Sequence, residues 1–518
     1  MPRRMEFDFT FGHPRENPNR SPEAETPLRI LVLGNFSRRG PTPDAQPPLP
    51  QRPLVRIDID RFDEVLRRFS PRWRLDEQGP AESSEELEFH ELDDFRPERL
   101  GRKLTVFRQL QELRQKLLSP ATFAQAAAQL RQELLAPASL PQGAEKPPAR
   151  LAAPIEDDAS TLQRLMGQGS TGGSAAAAAR PADSSAAVFQ RLIRQAVEPY
   201  IVPAADPHQE VYLAAVDNAL GNLMRGVLHA PSFQALEATW LSLHQLISNL
   251  EDDSAIEIHL LDVTVEELMA EVPTDDEQLQ QWSLYRRLTD DSAEALGTAP
   301  WSLIVGDFTI AARQNDLALL GALAAMAERL GAAVVTAAHS SLLGCPSLID
   351  CLDPAQWQPL DAAVEGYWQT LRRSPAAAWA GLALPRVLLR LPYGKATDEV
   401  ESFAFEEFSP ARRHEDYLWG NPAYLCAGLI AQAFAEAGWS LQPGSQLDIG
   451  DLPAHTYREA GEARLQPCAE TAFGERTAEA ILQRGLMPLL SWKDRNAVRF
   501  VRFQSIADPL TPLAGPWS

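Results

Sequence analysis

Trp301-Ser-Leu-Ile-Val-Gly306, a helical run from Asn315 to Leu330, and Ala333-Val-Val-Thr-Ala337 decide the fold class of this chain. The outer two pieces are short, apolar and rich in β-branched residues, as strands are. The stretch Leu317 to Val335 is interrupted by Glu328, Arg329 and Gly331, so it reads as a buried helix and strand and not as a membrane span. Strand, helix, strand in this order argues for a mostly parallel sheet covered by helices, an α/β fold. Upstream, Ile256-Glu-Ile-His-Leu-Leu261 reads as another strand. Before it come helices over Val188 to Ala196 and Glu210 to Leu228, and one carrying Phe233, Leu236, Trp240, Leu243 and Leu246.

Towards the N-terminus the pattern starts again. Leu28-Arg-Ile-Leu-Val-Leu-Gly34 is an almost continuous apolar run, the mark of a strand buried on both faces. After a Pro-rich loop from Pro41 to Pro53, Leu54-Val-Arg-Ile-Asp-Ile-Asp60 alternates as a half-buried strand. Asp60 is placed to cap a helix over Arg61 to Phe69. Leu87-Glu-Phe-His-Glu-Leu92 alternates, and Leu100, Leu104, Phe107, Leu110, Leu113 and Leu117 then recur at helical spacing. A further helix is expected from Ala121 to Leu135.

From Pro137 the composition turns to Pro, Gly, Ser and Ala, which cannot bury enough apolar surface to order a segment. The expected organisation is therefore an N-terminal arm over 1–26, a small α/β domain over 27–136, a flexible linker over 137–187, and a larger domain over 188–518. One island, Ile155 to Met166, is a candidate short helix within the linker, presenting Leu162, Leu165 and Met166.

At 518 residues two or three domains are the prior, and 45% hydrophobic with 23% charged residues is ordinary globular composition. A net charge of −22 repels a phosphate backbone, which argues against nucleic acid as a partner. The N-terminus lacks the apolar core of a secretory signal, and the four cysteines form no C-x-x-C pair, so a reducing, cytoplasmic setting is expected. Reactive constellations are scarce. Gly34-Asn-Phe-Ser-Arg-Arg-Gly40 follows a strand, but Pro41 stands where a phosphate loop needs Lys. Asp262 and Asp307 each follow a strand with no partner placed by sequence, so they read as cap or turn residues. His229, His244 and His339 read as packed or surface histidines, and His414 lacks the second His of a zinc-protease helix. No catalytic residue, cofactor or metal site is expected.

Two sets of motifs resemble the subunits of the type VI secretion contractile sheath. Pro27 to Ser37, Ile57 to Leu66, Leu87-Glu-Phe89 and Leu92-Asp-Asp-Phe-Arg-Pro97 resemble the small subunit (VipA/TssB family), with Asn35 where that family usually has Asp. Val227 to Trp240, Leu303-Ile-Val-Gly-Asp-Phe308, Gly381 to Gly394, Tyr417 to Ala423, Gly485 to Leu490 and Phe503-Gln-Ser505 resemble the large subunit (VipB/TssC family). Leu241-Ser-Leu243 stands where that family generally has Arg-Gly-Leu. Within these motifs Pro385, Arg386, Arg390, Pro392 and Gly394 frame an apolar run whose arginines suit carboxylates at a domain seam. Trp419, Gly420, Asn421 and Pro422 make a turn into a helix.

The resemblance implies a structural protein with both subunit types on one chain. It would assemble with other sheath protomers around an inner tube on a baseplate, and eject the tube by contraction. Recycling would fall to a hexameric AAA+ unfoldase, with Leu162, Leu165 and Met166 as the candidate contact. Family large subunits continue past Phe503-Gln-Ser505 into a further strand-supplying segment. A non-polymerising cap or baseplate adaptor is therefore the second expectation, and a nucleotide-dependent α/β enzyme a third.

Overall fold

Leu28–Gly34 forms β1, and all seven of its residues are buried. The computed structural model describes residues 25–38, 47–75, 85–135, 209–250, 255–294, 299–409, 411–459, 461–492 and 495–517. Nearly all of the 1–26 arm, the 137–187 linker with Leu162, Leu165 and Met166, the Val188 to Ala196 run and the end of the Gly34–Gly40 loop lie outside them.

The other strands are β2 (Val55–Ile57), β3 (Arg72–Arg74), β4 (Glu86–Glu88), β5 (Ile256–Asp262), β6 (Leu303–Ile310), β7 (Ala333–Ala338), β8 (Ala380–Leu384), β9 (Val387–Leu388), β10 (Trp419–Gly420), β11 (Asp448–Ile449), β12 (His455–Glu459), β13 (Glu462–Gln466), β14 (Met487–Ser491) and β15 (Val498–Phe500). Nine of these make one sheet, in the order β11-β15-β14-β8-β7-β6-β1-β5-β2. From β5 through β1, β6, β7 and β8 to β14 the strands run parallel, and β2, β15 and β11 add antiparallel edges. The fold is mixed α/β with a mostly parallel sheet.

β1 and β2 belong to the first segment, yet they lie in this sheet and not in one of their own. The register explains why. Leu28↔Ile256 through Gly34↔Asp262 bonds one edge of β1, and Ile30↔Leu303 through Leu33↔Gly306 the other. A strand apolar on both faces needs bonded neighbours at both edges. β2 takes the outer side of β5, and β3 with β4 forms a separate two-stranded ribbon.

Helices Pro231–Ser248, Gln314–Leu330 and Ala423–Ala437 each bury a long run of side chains. Gln314–Leu330 stops where Gly331 enters the left-handed region at φ 69°, which a residue with a Cβ resists. Phe62–Phe69 has Arg61 at its N-cap and no side-chain cap, so Asp60 does not take the expected capping role; Asp58 instead accepts the Arg61 amide at 3.0 Å in the turn before the helix.

Two compact units divide the chain. The larger contains the sheet. The described part of the smaller is helical: Thr105–Leu118 and Phe123–Leu135 with the start of Gln209–Leu228. Within it Phe107, Leu110, Leu113 and Leu117 are buried, Phe123 meets Tyr212 at 6.0 Å, and Arg114 pairs with Asp217. Among the described residues no helix is long and apolar enough to cross a membrane.

Candidate functional site

Open parallel sheets bind ligands outside the carboxyl ends of their strands, where the strand order reverses. Here that point is β1, flanked by β5 and β6; Gly34 and Asp262 end β1 and β5, while Asp307, expected after its strand, lies within β6. Protein groups fill the position. Asp262 accepts from the Phe36 amide at 3.0 Å and the Ser37 hydroxyl at 2.6 Å, closing the turn after β1. Asp307 sits in a bulge of β6 between Gly306 and Thr309, 2.6 Å from the Thr239 hydroxyl. Burial pushes its carboxyl up to about 6, against hydrogen bonds from Thr239, Tyr424 and Asn421. Asn421 donates to Gly306 O at 3.1 Å and Phe308 O at 3.2 Å, the carbonyls that the bulge turns out of the ladder. The expected Trp419-Gly-Asn-Pro turn is thus tied to the Leu303–Phe308 strand.

Beside this point lies a seam between the two segments. Phe36 packs on Phe69 at 5.5 Å and on Trp240 at 5.7 Å, and Phe62 meets Trp240 at 5.9 Å. The Trp240 indole donates to Phe36 O at 3.1 Å. Two turns back along the same helix face, Phe233 receives Trp73 at 5.5 Å, Phe95 at 6.0 Å and Phe89 at 6.1 Å. Phe89 and Phe95 stack on each other at 4.4 Å. Arg96 crosses the seam to Asp398 at 2.9 Å, and buried Arg52 holds Glu267 and, at 3.0 Å, Asp262 O. His244 completes the seam edge-on to Phe62 at 5.1 Å.

Arg386 and Arg390 do hold carboxylates. Arg390 Nε lies 2.7 Å from Glu237 and its Nη1 2.9 Å from Glu407, both carboxylates being 1% exposed. Burial raises Glu237 despite Arg390; at Glu407 the Arg390 charge and the Tyr393 amide outweigh burial and hold the carboxyl low. Arg386 grips Glu470 in two places, at 2.6 and 3.1 Å. There, too, burial is overcome: hydrogen bonds from His414 and Arg386 bring Glu470 down to about 2. All three partners lie in the second segment, so these arginines brace that segment internally. The rest of the motif fixes backbone. A Cβ on Gly420 would lie 2.5 Å from the Leu389 side chain, and one on Gly394 would lie 2.4 Å from Glu406. Pro385 follows a cis peptide bond, Pro392 O accepts from Thr397 Oγ1 at 2.5 Å, and Pro422 opens the helix Ala423–Ala437.

With this geometry in place, similarity to known proteins is decisive. The family described as "EvpB/VC_A0108, tail sheath N-terminal domain" matches residues 210–507, more than half of the chain. The chain belongs to the type VI secretion sheath family. Residues 13–139 match a second description, "Type VI secretion system, VipA, VC_A0107 or Hcp2". Small- and large-subunit sequences are therefore joined in one polypeptide. The type VI secretion system sheath protein TssC1 of Pseudomonas aeruginosa is 30% identical over 308 residues, which are 58% of this chain and 61% of TssC1. The chain thus spans about three fifths of the length of that relative.

In these terms the seam joins the VipA-type motifs to the VipB-type motif Val227–Trp240, and the crevice lies where both types supply strands. The sequence signalled Glu237 only weakly, as a carboxylate on the apolar face between Phe233 and Trp240, where a charge requires a partner. Glu407 and Glu470 gave no such signal. His229 lies between Glu407 at 3.5 Å and Asp416 at 3.4 Å, and His339 accepts from the Ser341 amide. The four cysteines are free; Cys345, Cys426 and Cys468 are buried, and burial pushes the Cys345 and Cys468 thiols up to about 11.

Proposed function

We propose that this chain is a self-contained sheath protomer, with the work of the small and large subunits done by its 27–136 and 188–518 segments. In this reading copies of the chain assemble around an inner tube on a baseplate, in the cytoplasm, and drive the tube out by contracting. The observation that carries the reading is the position of β1: a VipA-type strand inside a sheet otherwise built largely from VipB-type strands. A shared sheet makes the paired unit obligatory, and the covalent link fixes the ratio at one to one.

Contraction is then rigid-body rearrangement of such units, with no reacting group required. The proposal gives the chain no enzymatic role. The segment 155–166, with Leu162, Leu165 and Met166, offers the contact for an AAA+ unfoldase.

Electron microscopy of the purified full chain, alone and with the proteins of its neighbouring genes, tests the assembly reading. Tubes or stacked rings are expected. Monomers under every combination would sink it. The unfoldase contact is tested separately by scrambling 155–166, which should abolish capture by the unfoldase while leaving the assemblies unchanged.

A further inference from the structure

The segment that follows β5 carries charge of one sign. Between Thr264 and Ser283 stand Glu266, Glu267, Glu271, Asp275, Asp276 and Glu277, with no Lys, Arg or His. Two short helices, Val265–Ala270 and Asp276–Gln281, hold these acids, each started by its own cap. Thr264 accepts from the Glu267 amide at 3.2 Å, and Asp275 from the Gln278 amide at 2.8 Å. Arg52 takes Glu267, and Arg329 takes Asp276 at 2.6 Å. Glu266, Glu271, Asp275 and Glu277 make no ion pair among the described residues.

A surface cavity of about 320 Å³ opens in this acidic stretch, lined by Glu271, Gln278, Gln281, Trp282 and Ser283. Trp282 is 3% exposed and packs into the core with Leu279, Leu284 and Leu288, yet its indole N–H has no acceptor among the described residues. A buried donor left unserved is costly, and folded proteins rarely keep one unless another molecule supplies the acceptor. Gln278 already accepts from the Thr274 amide and hydroxyl, both at 3.1 Å, so its NH2 group is left to donate. Glu271 is exposed and accepts only. The cavity therefore sets unserved donors beside an unpaired carboxylate, which complements a backbone carbonyl and a cation together.

We propose that this cavity is a docking site for an arginine-bearing peptide segment of a partner protein: the guanidinium pairs with Glu271, and a backbone carbonyl of the same segment accepts from Trp282. Charge selects the class, because acids without counter-ions repel an anionic ligand and draw a cation. Arginine suits the site better than lysine, since its planar fork bonds a carboxylate in two places and its face stacks on an aromatic ring. A small free cation would serve Glu271 and leave the indole N–H unserved, so the ligand brings its acceptor with its charge. The site lies within the second segment alone and does not depend on assembly.

Fluorescence anisotropy of a fluorescein-labelled Gly-Gly-Arg-Arg-Gly-Gly peptide against the full chain tests it, with citrulline in place of both arginines as the uncharged control. Saturable binding is expected, weaker by about tenfold or more for the citrulline peptide. Glu271→Gln should weaken the arginine peptide about tenfold, and Trp282→Phe, which keeps a ring but loses the N–H, about fivefold. Glu266→Gln, on the same stretch but off the cavity wall, should change binding by less than about twofold. No binding, equal binding of the citrulline peptide, or full affinity in Trp282→Phe overturns the site. A loss in Glu266→Gln as large as that in Glu271→Gln overturns it too, because the peptide would then be reading diffuse charge. Should Trp282→Phe not fold, Gln281→Ala, an exposed change on the cavity wall, takes its place, and an unchanged affinity there overturns the site.

Discussion

Trp240 and Glu237 lie less than one turn apart on the helix Pro231–Ser248, and both are buried, yet they join that helix to its surroundings in opposite ways. Trp240 sits among Phe36, Phe62 and Phe69, where each aromatic pair is worth about 0.5–1.5 kcal/mol beyond the area it buries. Glu237 faces Arg390, and a buried ion pair returns little more than its own desolvation cost. The aromatic cluster around Trp240 supplies stability through ring contacts with Phe36, Phe62 and Phe69 and not through a carboxylate. The arginine brace supplies geometry: it fixes which segments meet, and it does so with groups that titrate.

The largest test of the contrast is at the seam's strand. Val32 is fully buried in β1, bonded beside Leu260 and Val305. Val32→Asp places a carboxylate on a fully buried face of the sheet, a cost comparable with the whole stability of an ordinary domain. The expected result is no folded chain, measured as loss of soluble protein and of the cooperative unfolding transition. A folded Val32→Asp chain would break the claim that the second segment's sheet requires β1.

At the brace, Arg390→Met leaves Glu237 and Glu407 buried and uncompensated, at a cost of about 3–5 kcal/mol. Converting both partners to Gln in the same chain should restore most of the loss, which chemical denaturation reads directly. No equivalent rescue exists for Val32→Asp. If the triple variant stays as unstable as Arg390→Met, the brace acts through the Arg stem's packing and not through charge.

Acid separates the two regions further. Glu470 titrates at about 2 in the folded chain against an ordinary 4.5. Its stabilisation is therefore present above 4.5 and is lost as pH falls through about 2, a contribution on the order of 3 kcal/mol. The stability gap between wild type and Glu470→Gln should shrink steadily from pH 5 to pH 2. The gap for Trp240 variants should stay constant over the same range, because their contacts do not titrate.

The two regions also differed in how far the sequence revealed them. β1 was legible because five of its seven residues are apolar and strands of this kind are buried on both faces. Its position in the sheet was not, because strand partners are chosen by long-range packing that a single sequence does not encode locally. Arg386 and Arg390 were legible as carboxylate holders, but Glu237 lies 153 positions away from Arg390. The bulge in β6 was invisible: Gly306-Asp-Phe308 reads as the end of an ordinary strand until Asn421 and Thr336 are seen serving its carbonyls. Local periodicity identifies elements, and the polar seams between them depend on distant partners.

The smallest effect comes from the seam's own tryptophans. Trp240→Phe leaves Phe36 O without its donor inside a packed cluster, so a loss of about 1–3 kcal/mol is expected. Trp73 reaches the same helix from the other segment, but its indole donates to Ser232 Oγ at 2.8 Å, a hydroxyl at the partly exposed start of that helix. Water can replace that donor, so Trp73→Phe should lose about 1 kcal/mol or less while keeping its edge contact with Phe233. Denaturation midpoints of the two variants, measured side by side, decide the point. Equal losses would mean that ring volume, and not the buried hydrogen bond to Phe36, sets the strength of the seam.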